Sequence, residues 1–86
     1  MAQIHSVTGP MDSSELGCTL IHEHLSTRSE MIFMQFPHLY NVEEEYERAV
    51  AEVNRAKERG VQTICDPTVM GLGRDIRFME SVSRST

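Results

Sequence analysis

Residues 17–26 read GCTLIHEHLS, a short apolar run that ends in two histidines flanking one glutamate. The run from Cys18 to His22, with β-branched Thr19 and Ile21, suits a buried strand. Side chains alternate along a strand, so His22 and His24 fall on one side and Glu23 on the other. Two imidazoles on one side can converge on an ion, because Zn²⁺ takes imidazole nitrogen at about 2.0–2.1 Å and catalytic zinc sites use about three protein ligands with an open position. On these residues alone, ligation and ordinary surface or hydrogen-bonded histidines both stay open. The helix-borne H-E-x-x-H motif is excluded because position 26 is Ser26. A cupin-like arrangement fits poorly, since Glu30 comes late and no strand-turn glycine follows.

Downstream, residues 42–59 form the clearest predicted element. Asn41 can cap a helix with Glu44 three residues on, Glu43, Glu44 and Glu45 lie at its positive end, and Lys57 and Arg59 at its negative end. Val42, Tyr46, Ala49, Val50, Val53 and Ala56 make one apolar stripe, and Gly60 supplies the left-handed stop. The acidic run reads as a solvated helix start. A second β-rich run, VQTICD at 61–66, closes on Pro67, and the loop TVMGLG leads to a helix beginning near Arg74 or Asp75 with Ile76, Met79 and Val82 inward and Phe78 at the edge.

The order strand, loop, helix, strand, loop, helix predicts an α/β fold with parallel strands joined by right-handed crossovers. Carboxyl ends of strands are where such folds place their sites, which favours ligation by the histidine pair. Upstream, residues 6–16 (SVTGPMDSSEL) have turn composition and predict a small N-terminal hairpin or flap. Between the first strand and the long helix, residues 25–40 show no period and read as a long loop. Its Met31, Ile32, Phe33, Met34, Phe36 and Leu39 would pack as a pocket wall, or over a barrel end or interface. The last helix has no stop signal, and two parallel strands leave sheet edges uncovered, so the chain looks truncated.

Composition narrows the partners. The 86 residues carry a net charge of -5 with their basic residues scattered, which argues against nucleic acid and anionic membranes and for a small molecule or a protein. No signal peptide or membrane span is visible, giving a cytoplasmic expectation. Cys18 and Cys65 lie in apolar runs and read as buried free thiols. His5 and His38 read as surface or locally bonded histidines. Asp66 either orients a ligand histidine or serves as a turn or cap residue, the commoner role before proline. Gly71 and Gly73 match no phosphate-loop spacing and read as turn glycines. Arg74 and Asp75 order that loop and start the helix, and Glu23 pairs with a helix or a backbone amide.

The combination of VTGP at 7–10, LGCTLIHEHL at 16–25, RAKERGVQTICDPT at 55–68 and GLGRD at 71–75 resembles the N-terminal quarter to third of the phosphotriesterase family, including the phosphotriesterase-like lactonases, in the amidohydrolase superfamily. The resemblance covers nearly the whole chain and implies the first βα units of a (β/α)8 TIM barrel, with residues 1–86 the N-terminal portion of a single hydrolase domain. It implies that His22 and His24 bind the more buried of two divalent metals, zinc ions in the complete enzyme. A carboxylated lysine bridging the metals, two further histidines and an aspartate would complete the set on later strands, none of them within these residues. It further implies a homodimeric enzyme in which a metal-held hydroxide attacks phosphotriester, lactone or related ester substrates, its proton passing to the aspartate of the last strand. No catalytic residue in that sense falls in this chain. The alternative from another class is a non-catalytic fragment or interaction module of a split barrel.

Overall fold

Hydroxyl side chains at positions 6 and 8 close the first turn of the chain. In the computed structural model, which describes residues 2–86, β1 (Gln3–Ser6) and β2 (Gly9–Asp12) pair antiparallel from Gln3↔Asp12 to Ser6↔Gly9. The expected hairpin is present, with its turn at Val7 and Thr8. Ser6 Oγ accepts from the Thr8 N–H at 3.2 Å and donates to the Gly9 carbonyl at 2.8 Å, a local substitute for the ladder. A 3-10 turn at Ser13–Glu15, capped by Asp12, leads into the α/β part.

β3 (Thr19–Leu20) and β4 (Thr63–Ile64) lie side by side and parallel, Thr19 opposite Thr63 and Leu20 opposite Ile64. Both are shorter than the apolar runs that hold them. Bonding continues past the strands, from Cys65 N–H to the Leu20 carbonyl at 2.8 Å and from Glu23 N–H to the Cys65 carbonyl at 3.1 Å. There the Asp66 carboxylate takes over, accepting the Leu25 N–H at 3.0 Å, and a side chain that captures backbone amides ends regular pairing.

Between the strands run two helices. α1 (Glu30–Gln35) corrects the expectation of a structureless loop over 25–40: Ser29 caps it by accepting the Ile32 N–H at 3.4 Å, and a 3-10 turn at Pro37–Leu39 follows. Six residues are too few to show a hydrophobic period, so only Ser29 and Pro37 could have marked it. Its apolar residues do not all pack. Phe33 tilts against Tyr40 at 5.6 Å between centroids, whereas Met31, Met34, Phe36 and Leu39 stay exposed.

α2 (Val42–Glu58) forms as expected, with Asn41 Oδ1 accepting the Glu44 N–H at 3.1 Å. Its end is a Schellman cap: Val61 N–H reaches the Ala56 carbonyl, Gly60 N–H the Lys57 carbonyl, and Gly60 sits at φ 95°. α3 (Ile76–Ser85) starts at Asp75, whose carboxylate accepts the Phe78 N–H at 3.0 Å. The two helices meet where the Tyr46 and Phe78 rings cross edge to face at 6.1 Å, near buried Ala49 and Val82. Within the predicted stripes, Val42 and Ile76 are exposed, because each lies in the first turn of its helix.

Cys18 and Cys65 are free and exposed, correcting the expectation of buried thiols. A two-stranded sheet offers each strand one neighbour, so residues flanking the strands are covered only where a helix lies over them. Ile21, Val69 and Met70 are exposed beside them.

Candidate metal centre at the carboxyl end of the sheet

The backbone bends immediately after Leu20, so His22 and His24 stand beyond the strand proper. Their rings nevertheless meet, 5.3 Å between centroids and nearly perpendicular at 82°. Their proximity comes from a bent segment held to Cys65 and Asp66, and not from the expected strand alternation.

His24 is anchored and His22 is not. His24 Nδ1 lies 2.7 Å from Thr68 Oγ1 and 3.7 Å from Asp66 Oδ1. Thr68, 1% exposed, donates both its hydroxyl and, at 2.9 Å, its N–H to Asp66 Oδ1. Burial pushes the Asp66 carboxyl up, but the Thr68 hydroxyl, the Leu25 and Thr68 amides and the adjacent His24 together outweigh it and hold it below the usual carboxylate value. Asp66 thus serves as the turn residue after β4, accepting from Thr68 two positions on, and its carboxylate lies 3.7 Å from the His24 ring.

A second cluster braces the same loop from below. Arg28 reaches Glu45 Oε2 on α2 at 3.5 Å and Asp75 Oδ2 at the start of α3 at 3.8 Å, and its guanidinium lies 4.1 Å above the Phe33 ring. Ser26 Oγ donates to the same Glu45 oxygen at 3.0 Å. Glu45 is therefore a partly covered partner in a cross-link, correcting its reading as part of a solvated helix start; its neighbours Glu43 and Glu44 are solvated. Gly73, at φ 92°, packs against Arg28 so closely that a Cβ would lie 3.0 Å from the Arg28 nitrogen and 3.1 Å from its carbonyl oxygen. Gly71 and Gly73 are turn glycines, as expected. Beside them a shallow cleft of about 190 Å³ is lined by Arg28, Glu30, Phe33, Met34, Gly73, Arg74 and Asp75.

His5 and His38 are exposed, as expected. Glu23 is exposed, and among the described residues its hydrogen bond to the Cys65 carbonyl is made by its backbone N–H. Thr68, Ser26 and Arg28 carry much of the arrangement without having been singled out in the sequence. The spacing Asp66-Pro67-Thr68 was the available signal for Thr68, since Asp side chains capture the amide two residues on. Arg28 has no local signal, its carboxylate partners being 17 and 47 positions away.

Two adjacent imidazoles, one with its Nδ1 already engaged, suit a divalent metal of zinc type. Among the described residues no group of three His, Cys, Asp or Glu side chains is placed to hold a metal. The family model of the phosphotriesterases matches residues 2–86. This chain belongs to the phosphotriesterase family. An aryldialkylphosphatase of Saccharolobus solfataricus is 60% identical over 76 residues, covering 88% of this chain and 24% of that protein. A phosphotriesterase homology protein of Mycobacterium tuberculosis is 37% identical, covering 100% of this chain and 27% of that protein. The structure of the phosphotriesterase from Mycobacterium tuberculosis superposes with a TM-score of 0.89 at 35% identity, over 99% of this chain and 26% of that one. The chain spans about a quarter of the length of these relatives. Its hairpin and following βα units match the N-terminal part of a phosphotriesterase TIM barrel. Family members are metal-dependent hydrolases of small-molecule esters. No helix of the described residues is long and apolar enough to cross a membrane.

Proposed function

We propose that residues 1–86 are the metal-anchoring opening of a single hydrolase barrel acting on phosphotriesters, lactones or related esters, with His22 and His24 as metal ligands. The observation that carries this reading is the meeting of the two imidazoles at the carboxyl end of β3, with His24 braced by Thr68 and Asp66. A zinc-type ion held there supplies Lewis acidity and lowers the pKa of water from about 15.7 toward about 7. This chain's residues hold and orient. His22 and His24 present nitrogen donors, Asp66 pins the turn that carries His24, and Arg28 with Glu45 and Asp75 fixes the loop behind them. The complete enzyme in this reading is a cytoplasmic homodimer with two zinc ions.

The test is metal content together with hydrolysis of an aryl dialkyl phosphotriester and of a lactone by the complete barrel. His22→Ala and His24→Ala are each expected to lose metal and turnover together. Turnover retained with stoichiometric metal in either variant overturns the ligand assignment. A second reading, a non-catalytic interaction module, is favoured by the exposed Ile21, Met31, Met34 and Met70; it predicts an 86-residue protein that associates with other chains and takes up little metal.

A further inference from the structure

The hydroxyl of Thr68 carries one proton, and two neighbours compete for it. Asp66 Oδ1 lies within hydrogen-bonding distance on one side and His24 Nδ1 at 2.7 Å on the other. An ionised carboxylate only accepts, whereas a neutral imidazole offers one donor and one acceptor nitrogen. If the hydroxyl proton pointed at His24, the Thr68 and Asp66 oxygens would face each other with lone pairs alone, at a separation that only a hydrogen bond sustains. The proton therefore goes to Asp66. The Thr68 oxygen then accepts from His24 Nδ1–H, which leaves the ring's lone pair on Nε2. We propose that Thr68, fixed by Asp66, is a positioning residue that holds His24 in its Nδ1–H form and so selects Nε2 as the nitrogen offered to a metal.

The metal consequence rests on the reading of His24 as a ligand; the tautomer assignment stands on the hydrogen bonds. Thr68 is 1% exposed, so water does not compete for its hydroxyl. Asp66 is itself pinned, Oδ1 by the Thr68 amide and Oδ2 by the amide of Leu25, the residue after His24. One carboxylate thus fixes both the ring and the backbone of the same histidine. It cannot do so by direct contact with the ring, because 3.7 Å from Nδ1 is too long for a hydrogen bond. The hydroxyl bridges that gap. His22 has no such partner among the described residues, and its ring nitrogens stay uncommitted.

The experiment is a long-range ¹H–¹⁵N correlation spectrum of the full chain, labelled at histidine and free of metal, at about pH 8, where imidazole is neutral. His24 is expected to show a protonated Nδ1 and an unprotonated Nε2, while His22, His5 and His38 give the averaged signals of mixed tautomers. Thr68→Val is expected to return His24 to that mixture and to weaken zinc binding, read by competition with a chromophoric chelator, by about 10- to 100-fold. Thr68→Ser keeps both. A protonated Nε2 on wild-type His24, or a Thr68→Val chain that keeps the Nδ1–H form and binds zinc within about twofold of wild type, overturns the proposal. Should Thr68→Val fail to fold, the wild-type and Thr68→Ser spectra decide it, Nδ1–H in both upholding it and Nε2–H in either overturning it. A tautomer that Thr68→Val abolishes, in a chain whose His24 signals zinc does not move, upholds the positioning role and overturns the ligand reading, so the two failures are distinguishable.

Discussion

Replacing Arg28 with methionine removes three interactions while keeping most of the side chain's stem. The Glu45 contact is the largest, because both partners are mostly buried and Glu45 would keep only the Ser26 hydroxyl. A hydrogen bond to a charged group contributes about 1.5–3 kcal/mol, and the 3.5 Å separation places this one at the lower end. The guanidinium over Phe33 adds about 0.5 kcal/mol. Asp75 adds no more than a few tenths, since its side chain is 41% exposed and the pair is 3.8 Å apart. Arg28→Met is therefore expected to cost about 2 kcal/mol, a large share of the stability of a chain this short. The corresponding fall in Tm is roughly 8–16 °C. Urea and thermal unfolding followed by far-UV circular dichroism measure it, and a cycle with Glu45→Gln isolates the pair, with an expected coupling of about 1 kcal/mol. Arg28→Lys should fall between, because an ammonium cannot present a planar fork to two carboxylates. A change below about 0.5 kcal/mol in Arg28→Met, a size ordinary for surface substitutions, would refute the view that Arg28 ties the histidine loop to both helices.

The two turn glycines separate strain from crowding. Both have positive φ, yet a Cβ at Gly71 meets nothing within 4 Å while one at Gly73 strikes Arg28 backbone. Gly71→Ala should cost about 1 kcal/mol from conformation alone, and Gly73→Ala about 1–3 kcal/mol more, both read from urea midpoints. Because the folded Asp66 carboxyl lies below its usual value, its contribution is fully present above the unfolded carboxylate range, about pH 4, and is lost as pH falls through the lower folded value. The acid-side decline in stability should accordingly be shallower in Asp66→Asn than in wild type. Asn41→Ala removes the α2 cap and should cost about 1 kcal/mol by the same unfolding assay.

What was legible in the sequence is what local chemistry determines. Asn41, the acidic first turn and Gly60 mark both ends of α2 because caps act within a few residues. Asp75 marks α3 in the same way. That the His22 and His24 rings lie together was legible, but not how: they lie beyond the strand, on a bend tied to Cys65 and Asp66. Glu45 could not be told from Glu43 and Glu44 by composition. What distinguishes it is Arg28, which approaches only once the loop has folded back. The exposure of Cys18 and Cys65 was equally hidden, since an apolar run reports what a residue can be packed against and carries no record of what covers it.

Apart from the Asp66–Thr68 turn, the ties that build the histidine end join distant parts of the chain. Thr63 to Leu16 spans 47 positions, His24 to Thr68 44, Glu30 to Gly73 43 and Leu25 to Asp66 41. The hairpin and α2, by contrast, are made of bonds between near neighbours. Closing a loop of forty-odd residues costs entropy before any contact offsets it, and α2, whose own bonds are local, takes up 17 residues of the connection between β3 and β4. The expected order of assembly is helix first, then the parallel pair together with the bonds around the imidazoles. Backbone amides at Leu25 and Thr68 should therefore exchange with solvent through smaller openings than those in the middle of α2. On that order the bonds that bend the chain after β3 form late, so the arrangement of the two imidazoles is expected to be complete only with the parallel pair.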